Sequence, residues 1–319
     1  MRKMATVRKI DEIRPIEGAD RIEQVMIGGW SCVSQKGLHH EGKYIVYCEP
    51  DSILPVKEEY EYLSNFYIDK HGFKGYRVKS IKLKKTQSQG VILPLGDLPE
   101  EEGYDATEHL GIVKYEPPIP AELAGQVKGN FPSFLERTNE ERAQNLTDKD
   151  LMYIDGKVLQ ITEKLDGTSM TVYRNGDIGV CSRNLEMKEV EGNTMWKLAR
   201  EFENKIPDGI CVQGELIGPG IQGNKYKLNE PTFFMFTVYD IKEGKRLPLD
   251  TVDIETVPAV GAINFTYTSK VDSIERLLTM ADGQSKLAQV KREGLVFRNL
   301  EHNISFKAIS NKWLEKNDE

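Results

Sequence analysis

Glu163-Lys164-Leu165-Asp166-Gly167-Thr168-Ser169 is the stretch that decides the fold of this chain. It follows an apolar strand pattern at Val158–Thr162, and Asp166-Gly167 is a turn signal that places Lys164 where the strand ends. A lysine is a nucleophile only when neutral, and its ordinary pKa is about 10.4, so such a site must favour the neutral form. A bound cation does this by repelling the ammonium, and it requires carboxylates nearby. Taken alone the pattern is weak, because a solvated turn lysine has the same sequence signature.

Three later segments supply the charged groups that such a site requires. Gln213-Gly214-Glu215 leads from a strand into a glycine-rich loop, which suits a sugar or phosphate pocket. Glu293 lies at the end of a predicted helix and the start of a strand, and Lys307 lies in the middle of a final apolar strand. Each of these residues alone fits a surface charge. The occurrence of all these charged residues in this order along the chain favours an active site.

The first hundred residues contain short strand patterns separated by turn residues. The pattern at Gly75–Lys85 slips in phase, which predicts a bulge near Ser80, and Pro94 marks the end or the edge of the last pattern. Several short strands in a small segment predict a β-barrel such as an OB-fold over residues 1–105. The predicted strands are Arg21–Ile27, Trp30–Ser34, Lys43–Cys48, Gly75–Lys85 and Val91–Leu95.

Acidic and proline-rich residues then predict a linker over residues 106–127. The second unit, residues 128–319, mixes strand patterns with helical spacing at Phe131–Asn145, Thr194–Glu203 and Ser273–Arg292. The predicted strands are Val158–Thr162, Met170–Arg174, Ile178–Ser182, Ile210–Gly214, Thr232–Ile241, Gly294–Arg298 and Ile304–Ala308. The predicted fold class is therefore α+β: an OB-like β-barrel followed by a domain of antiparallel sheets flanked by helices.

The order of the charged segments resembles that of the lysine-adenylate nucleotidyltransferases, the superfamily of DNA ligases, RNA ligases and mRNA capping enzymes. The resemblance covers nearly all of residues 130–319 and implies a covalent nucleotidyltransferase domain, an ATP-grasp-like adenylation fold with ATP between its sheets. The matching segments are Lys164–Gly167, Gly214-Glu215, Thr232–Asp240, Glu293-Gly294, Lys307 and the serine-arginine element Ser182-Arg183-Asn184.

Within the superfamily the chain is most similar to the Deinococcus-type RNA ligases. Twelve residues follow Lys307, so we expect no downstream OB domain, which DNA ligases and capping enzymes usually carry. The segments that resemble the ligases' N-terminal module and the start of their catalytic domain are Tyr47–Pro55, Tyr76–Leu83, Ser88–Gly90, Phe131–Phe134 and Gln144-Asn145. One departure is Ser305, where many relatives have a second lysine.

The resemblance implies a role for each matched residue. Lys164 would attack the α-phosphorus of ATP, and Asp166, Glu215 and Glu293 would bind Mg²⁺ or Mn²⁺ through water, although Glu215 could instead hold the ribose. Lys307 and Arg183 would bind phosphate oxygens. The full set implied to bind ATP or AMP is Glu163, Arg183, Glu215, Tyr239, Phe236, Glu293, Lys307 and Arg142.

Two of these assignments leave alternatives open. Tyr239 is the first choice to cover adenine; Phe236, on the opposite strand face, is the second, although Phe234 and Phe236 also fit a core. Arg142 would bind either the terminal phosphates of ATP or the 5′-phosphate of a nucleic acid.

The N-terminal unit has a basic strand that could follow a phosphate backbone. A solvated strand face explains it equally well, and the same unit could instead close over ATP. The residues that would bind nucleic acid are Arg77, Lys79, Lys82 and Lys84.

Composition limits the remaining possibilities. The net charge is −7, so any basic groove is local, and the sequence contains no run long enough to cross a membrane. The four cysteines show no metal-ligand spacing, and the N-terminus has no secretory pattern, which together favour a cytoplasmic protein, or one in a host cytoplasm if the source is viral. We expect a monomeric ATP-dependent RNA ligase that acts on RNA or on nicked duplexes containing RNA. The alternatives are a DNA ligase, a capping-type transferase or a silent nucleic-acid-binding protein.

Overall fold

The computed structural model describes residues 3–70, 72–84, 86–115, 125–137 and 140–317. The strands of the first unit are β1 (Ala5–Lys9), β2 (Glu12–Pro15), β3 (Ile22–Ile27), β4 (Trp30–Gln35), β5 (Tyr44–Cys48), β6 (Ser52–Leu54), β7 (Tyr67–Lys70), β8 (Phe73–Arg77), β9 (Ser80–Leu83), β10 (Thr86–Gln89), β11 (Val91–Leu93) and β12 (Val113–Lys114), and a 3-10 helix spans Glu58–Phe66.

The second unit contains the remaining strands and four α-helices. They are β13 (Val127–Asn130), β14 (Glu141–Arg142), α1 (Asp148–Ile154), β15 (Val158–Lys164), β16 (Thr168–Asn175), β17 (Asp177–Cys181), β18 (Leu185–Met187), α2 (Thr194–Phe202), β19 (Ile210–Ile217), β20 (Thr232–Asp240), β21 (Lys245–Leu247), β22 (Ala259–Asn264), α3 (Lys270–Ala281), β23 (Gly294–Asn299), β24 (Ile304–Ile309) and α4 (Asn311–Asn317).

The first unit is an OB-fold barrel built from short strands. Its sheets run β1-β5-β11, β12-β6-β8-β7 and β2-β3-β4, with the hairpin β9-β10 at one side. Buried and half-buried positions alternate along β3, as expected of a strand with one face on a core. Gly75 of β8 is required where this strand lies against β6, because a Cβ there would lie 2.2 Å from the carbonyl oxygen of Leu54.

Two sequence expectations for this unit need correction. Gly75–Lys85 is two strands in different sheets, β8 and β9, and the phase slip marks the break between them instead of a bulge. Residues 106–115, assigned to the linker, belong to the barrel. Val113 pairs with Ile53 of β6, and Ala106 and Ile112 are buried in the barrel core. Residues 116–124 of the expected linker lie outside the described residues.

The second unit consists of two sheets flanked by helices. A seven-stranded sheet runs β13-β18-β17-β16-β19-β20-β21, and a five-stranded sheet runs β14-β24-β23-β15-β22. Helix α2 packs on the first sheet through Trp196 and Ala199, and helix α3 packs on the second through Ile274 and Leu277. Strand β15 ends at Lys164 and the chain then crosses to β16, so the lysine lies where the two sheets meet.

Two predicted helices are wrong in whole or in part. The described residues of Phe131–Asn145 do not form the predicted helix: Phe131 and Leu135 pack beside Tyr173, Glu141-Arg142 forms an edge strand, and Ala143–Asn145 forms only a 3-10 turn. The helix predicted at Ser273–Arg292 begins earlier and stops at Ala281. The Arg292 guanidinium donates to the carbonyls of Met280, Ala281 and Asp282, which caps the helix end.

All four cysteines are buried and free of disulfides. Among the described residues, helices are too short or too polar to cross a membrane.

Candidate active site

Lys164 and Glu293 form the centre of the site. Lys164 is the last residue of β15, and Glu293 directly precedes β23. These strands are neighbours, and Lys164 pairs with Gly294 in their ladder. Nζ of Lys164 donates to both carboxylate oxygens of Glu293, at 2.7 and 2.6 Å. The Lys164 side chain is about one-quarter exposed (26%) and that of Glu293 12%, so the pair is largely shielded from water yet open on one side.

Glu215 and Asp166 complete the charged cluster from the seven-stranded sheet. Glu215 lies opposite Ser169 in the β16–β19 ladder, and its Oε1 accepts a 3.0 Å hydrogen bond from the backbone N–H of Gly167. A Cβ on Gly167 would lie 2.4 Å from the carbonyl oxygen of Leu216, so the turn after the lysine requires glycine. Asp166 forms an ion pair with Lys225, a residue that the sequence did not single out.

The cluster holds Lys164 in its protonated form. Burial lowers the pKa of the Lys164 ammonium, but the negative charge of Glu293, followed by Glu215 and Asp166, outweighs burial and raises it. Burial also raises the pKa of Glu215, to about 7, with the Glu293 charge acting in the same direction. The resting site therefore has a nucleophile that is not ready to react, since attack requires the neutral amine.

A row of residues on the same face of the five-stranded sheet leads away from Lys164. Arg142 is opposite Lys307 in the parallel β14–β24 pair, and Lys307 is opposite Val296 on β23. Burial raises the pKa of Glu293, while the charges of Lys164 and then Lys307 act against this rise, which places Lys307 near Glu293. The next row pairs Ser305 with Arg298. The structure thus places Arg142 and Lys307, predicted from different parts of the chain, next to each other on the sheet that carries the nucleophile.

A buried ion pair in this second row was missed by the sequence analysis. Arg298 donates to Glu140 at 2.6 Å, and both side chains are 11% exposed. Burial raises the pKa of Glu140, but the Arg298 charge and hydrogen bond outweigh it and hold that pKa at about 2. Arg298 also lies over the ring of Phe236, 5.6 Å from its centroid. In the sequence, an arginine near the end of β23 is an ordinary strand-end charge. The ion pair with Glu140 becomes visible only in the folded structure.

The two candidate adenine-covering rings occupy different surroundings. Phe236 contacts Arg298 and packs at the edge of the cluster of Leu165 and Ile217, on the side of Lys164. Tyr239 packs instead beside Phe131, Tyr173 and the buried cysteines. A bulge in the β19–β20 ladder falls between Met235 and Thr237 and sets the direction of the Phe236 ring.

Glu163 and Arg183, two further predicted residues, have different surroundings. Glu163 precedes Lys164 on β15, so the two side chains point to opposite faces of the sheet. The Glu163 carboxylate accepts a 2.7 Å hydrogen bond from the backbone N–H of Lys286, which anchors the loop at 284–289. Its second oxygen, Oε1, is buried and has no hydrogen-bond partner among the described residues. Arg183 is exposed on the turn between β17 and β18.

The predicted nucleic-acid-binding strand is only partly open. The Arg77 guanidinium donates to Asp51 at 3.1 and 2.6 Å and lies 3.9 Å from the ring centroid of Tyr115, so it is already engaged. Lys79 and Lys84 are exposed. The side chain of Lys82 lies outside the described residues.

Two packed sheets with a lysine and three carboxylates at their junction define a covalent nucleotidyltransferase domain, here preceded by an OB-fold. Comparison with family models agrees: residues 4–95 match an OB-fold domain model and residues 157–313 match the RNA ligase model. A search of curated protein sequences gave no match.

Solved structures narrow the class to one family. The chain is 40% identical to a Naegleria gruberi RNA ligase solved as a glutamate-to-alanine variant with AMP and Mn, with a TM-score of 0.86 and 100% of both chains covered. A lysine-to-alanine variant with ATP and Mn gives 40% identity and a TM-score of 0.85 over 99% of this chain and 100% of that one. The complex with PPi gives 40% and 0.84 over 99% of each chain. The chain belongs to the RNA ligase family.

Proposed function

We propose that this RNA ligase seals 3′-hydroxyl and 5′-phosphate ends with ATP, through a covalent AMP adduct on Lys164. The observation that carries the proposal is the position of Lys164, between Glu293, Glu215 and Asp166 at the junction of the two sheets. A surface lysine would have no reason to share a buried pocket with three carboxylates, since burying charge is costly unless it serves an interaction.

The reaction proceeds in three steps. Lys164 Nζ loses a proton and attacks the α-phosphorus of ATP, forming a P–N bond as the bond to pyrophosphate breaks. An oxygen of the RNA 5′-phosphate then attacks the lysyl-AMP phosphorus, which frees the lysine and leaves AMP on the RNA. The 3′-hydroxyl finally attacks the 5′-phosphorus, the new phosphodiester forms, and AMP departs.

A divalent cation fits this site as a hydrated ion. Among the described residues, no three carboxylate, imidazole or thiolate groups are close enough to enclose a bare metal. Asp166, Glu215 and Glu293 nonetheless direct surplus negative charge at one lysine, and Mg²⁺ or Mn²⁺ holding its waters would match them. Such an ion supplies positive charge that favours the neutral lysine and the departing pyrophosphate. The Naegleria ligase was solved with ATP and Mn, which supports both assignments.

The remaining residues have roles set by their positions. Lys307 and Arg142 lie side by side on β24 and β14 and would neutralise phosphate oxygens, aided by Arg183. Phe236 is the ring that we expect to cover adenine, because it contacts the sheet face that carries Lys307. The exposed Lys79 and Lys84 would contact the RNA-containing duplex, for which we propose a nick with RNA on the 3′-hydroxyl side.

Intact mass spectrometry after incubation with ATP and Mg²⁺ tests the proposal. The wild type should gain one AMP, and Lys164→Ala should gain none. Lys149→Ala, which removes an exposed lysine of helix α1, is the matched control and should be adenylylated normally. An unmodified wild type that remains folded would exclude a ligase mechanism and leave a nucleic-acid-binding protein.

Substrate choice requires a separate experiment. Nicked duplexes with RNA or DNA on each side of the nick separate an RNA ligase from a DNA ligase, because the proposal predicts sealing only where the 3′-hydroxyl strand ends in RNA. Replacing ATP by GTP separates both from a capping-type transferase.

A further inference from the structure

Three segments of the catalytic domain meet at the end of the five-stranded sheet that carries Lys164. The segment 284–291 leads toward Glu293 and β23, helix α4 follows β24, and the segment 221–228 lies between β19 and β20. Because β15 is antiparallel to β23, and β23 to β24, the end of β15, the start of β23 and the end of β24 lie together. The segment 284–291 and helix α4 therefore adjoin the nucleophile from beyond the strand ends.

Lys225 connects the third segment to the same place. Its Nζ forms an ion pair with Asp166 and lies 4.8 Å from the ring centroid of Trp313 in α4. Leu228 and Leu287, which belong to the other two segments, pack on one apolar cluster. The three segments thus form one continuous surface beside the nucleophile.

The conformation of the segment between β19 and β20 is fixed by its own contacts. Asn224 and Lys227 have φ of +47° and +57° or less, in the left-handed region that side chains disfavour, and such conformations persist where the surroundings enforce them. The Asn224 side chain donates to the carbonyl of Leu228 at 2.9 Å and accepts its N–H at 3.0 Å. The Tyr226 hydroxyl accepts the backbone N–H of Asp166 at 2.8 Å. The position of this segment relative to the nucleophile turn is therefore set.

The charges on this surface have one sign. Residues 221–228, 284–291 and 311–314 contain five lysines and no acidic residue, although the net charge of the chain is −7. A local excess of lysine on an acidic protein indicates a binding partner that is negatively charged. We call this surface the basic rim, and its lysines are Lys225, Lys227, Lys286, Lys291 and Lys312.

Most of the rim lysines are available to a partner. Lys227, Lys286 and Lys291 are exposed, and none of the three forms an ion pair with another described residue. Lys312 is also exposed and pairs with Asp282 at 2.9 Å. The three lysines without ion pairs give the rim its uncompensated charge.

An extended polyanion fits the basic rim better than ATP does. Lys307 and Arg142, which we assign to phosphate oxygens of ATP, lie inside the five-stranded sheet on β24 and β14. The rim instead extends over three segments outside the strand ends. Lysines spread over such a length suit a nucleic-acid backbone, and the half-buried ring of Trp313 among them offers a face to a sugar or a base.

We propose that the basic rim binds the phosphate backbone of the nicked duplex next to the break, so that the catalytic domain itself holds the nucleic acid. This inference rests on the proposed function, which assigned the duplex to Lys79 and Lys84 of the OB-fold domain. Each lysine that neutralises a phosphate releases a counterion. The salt dependence of duplex binding therefore counts the rim contacts.

The experiment measures binding of a nicked duplex at several salt concentrations without ATP. The duplex has RNA on the 3′ side of the nick and ends there in a 3′-deoxynucleotide, so that no sealing occurs. The rim variant combines Lys227→Gln, Lys286→Gln and Lys291→Gln. Lys225 is left intact, because its loss would leave Asp166 without this ion pair.

The matched control removes the same charge elsewhere on the catalytic domain. It combines Lys149→Gln, Lys197→Gln and Lys245→Gln, which are exposed positions on α1, α2 and β21. Both triple variants therefore have the same net charge, and only the location of the lost lysines differs.

The expected result is a loss of duplex binding confined to the rim variant. Its slope of log binding constant against log salt should be smaller than that of the wild type by about 3, because each phosphate contact contributes about 0.9. Affinity at low salt should fall by about 10-fold or more, and the control variant should keep the wild-type slope. Lys164 adenylylation needs no nucleic acid, so both variants should form the AMP adduct within about two-fold of the wild-type rate.

Three outcomes would overturn the inference. One is an equal change of slope in the rim and control variants, which would reduce the effect to net charge. Another is a rim variant that binds like the wild type while Lys79→Gln with Lys84→Gln loses binding. The third is a loss of adenylylation as large as the loss of duplex binding, which would assign the rim to ATP. A wild type that forms no AMP adduct would instead refute the proposed function, whatever the salt dependence of duplex binding.

Discussion

Both carboxylate oxygens of Glu293 accept hydrogen bonds from Nζ of Lys164, at 2.7 and 2.6 Å. This contact holds the nucleophile in the form that cannot attack, because the Glu293 charge raises the pKa of the lysine. The same carboxylate is the group that we assign to the divalent ion. A divalent ion held by this carboxylate would add positive charge beside the lysine and would favour its neutral form.

Replacing Glu293 by glutamine should therefore have two opposite effects. In metal-free buffer the pKa of Lys164 should fall, since the largest favourable partner of its ammonium is lost and burial remains. Adenylylation should nevertheless drop by about 100-fold or more, because a charged group is missing where phosphate chemistry occurs. Peptide-resolved acetylation of Lys164 across pH gives the midpoint. Glu201→Gln on the exposed side of helix α2 is the control, and an unchanged midpoint in Glu293→Gln would contradict the argument.

Glu215 should make the protein less stable as pH rises. Its pKa is raised to about 7 by burial, so the folded state binds a proton more tightly than the unfolded state does. The stabilising contribution is complete below the ordinary pKa of about 4.5 and is lost as pH rises through 7. Glu215→Gln keeps the acceptor for Gly167 and removes the titration.

Between pH 5 and pH 8, the free energy of unfolding of Glu215→Gln should rise by about 2 kcal/mol relative to that of the wild type, since one pKa unit corresponds to about 1.4 kcal/mol. Urea denaturation in metal-free buffer measures this difference. If the difference in free energy of unfolding between the two proteins does not change with pH, burial does not raise the pKa of Glu215.

A site residue can be predicted from the sequence when its signal lies in the residues adjacent to it in the chain. Lys164 and Gly167 were predicted because the strand, the turn and the nucleophile motif are contiguous in the chain. Lys307 was predicted because a charge inside an apolar strand is itself unusual. Lys225 gave no such signal, since a lysine in a polar loop is ordinary, and its partner Asp166 is 59 positions away.

The failed helix at Phe131–Asn145 has the same cause. Its apolar residues have helical spacing, but they pack against the seven-stranded sheet, and Arg142 pairs with β24 across more than 160 positions. Tertiary contacts overrode local periodicity there. The phase slip in Gly75–Lys85 was real, yet sequence could not tell a bulge from a break between two strands.

Breaking the ion pair of Glu140 and Arg298 should destabilise the protein in a pH-dependent way. Both groups are largely buried, so Glu140→Gln leaves the Arg298 charge uncompensated and should cost about 3 kcal/mol at pH 7. The pKa of Glu140 is lowered to about 2, so the contribution is present above the ordinary value near 4.5 and is lost as pH falls toward 2. Urea denaturation should show a constant difference between pH 7 and 5 and a smaller one below pH 4. Glu203→Gln, which removes a partner of the exposed Arg200, should change stability little.

Phe236 and Tyr239 should differ in their effect on ATP binding. Phe236→Ala should raise the KM for ATP in lysine adenylylation by about 10-fold, as expected when a base loses its stacking partner, because this ring lies beside Arg298 on the side of Lys164. Tyr239→Phe should leave that KM unchanged, since Tyr239 packs beside Tyr173 and Cys211. Initial rates of adduct formation at several ATP concentrations measure both. The reverse order of effects would show that Tyr239 covers adenine.

Gly294 should tolerate no side chain, because the catalytic strands approach too closely around it. A Cβ there would lie 2.2 Å from the carbonyl oxygen of Ala308 and 3.0 Å from Cα of Ile309, both in the backbone of β24. Gly294→Ala must therefore push β24 away from β23 and move Lys307, which lies one residue before Ala308. We expect a loss of stability of about 1–3 kcal/mol and a larger loss of adenylylation.

Gly129→Ala on β13 is the matched control, because a Cβ at that position meets nothing within 4 Å. It should change neither property. Urea denaturation and the rate of AMP adduct formation, measured on both variants, separate a packing defect from a displaced site. Normal adenylylation by Gly294→Ala would show that β24 can shift without moving Lys307, and that the close approach of these strands serves stability alone.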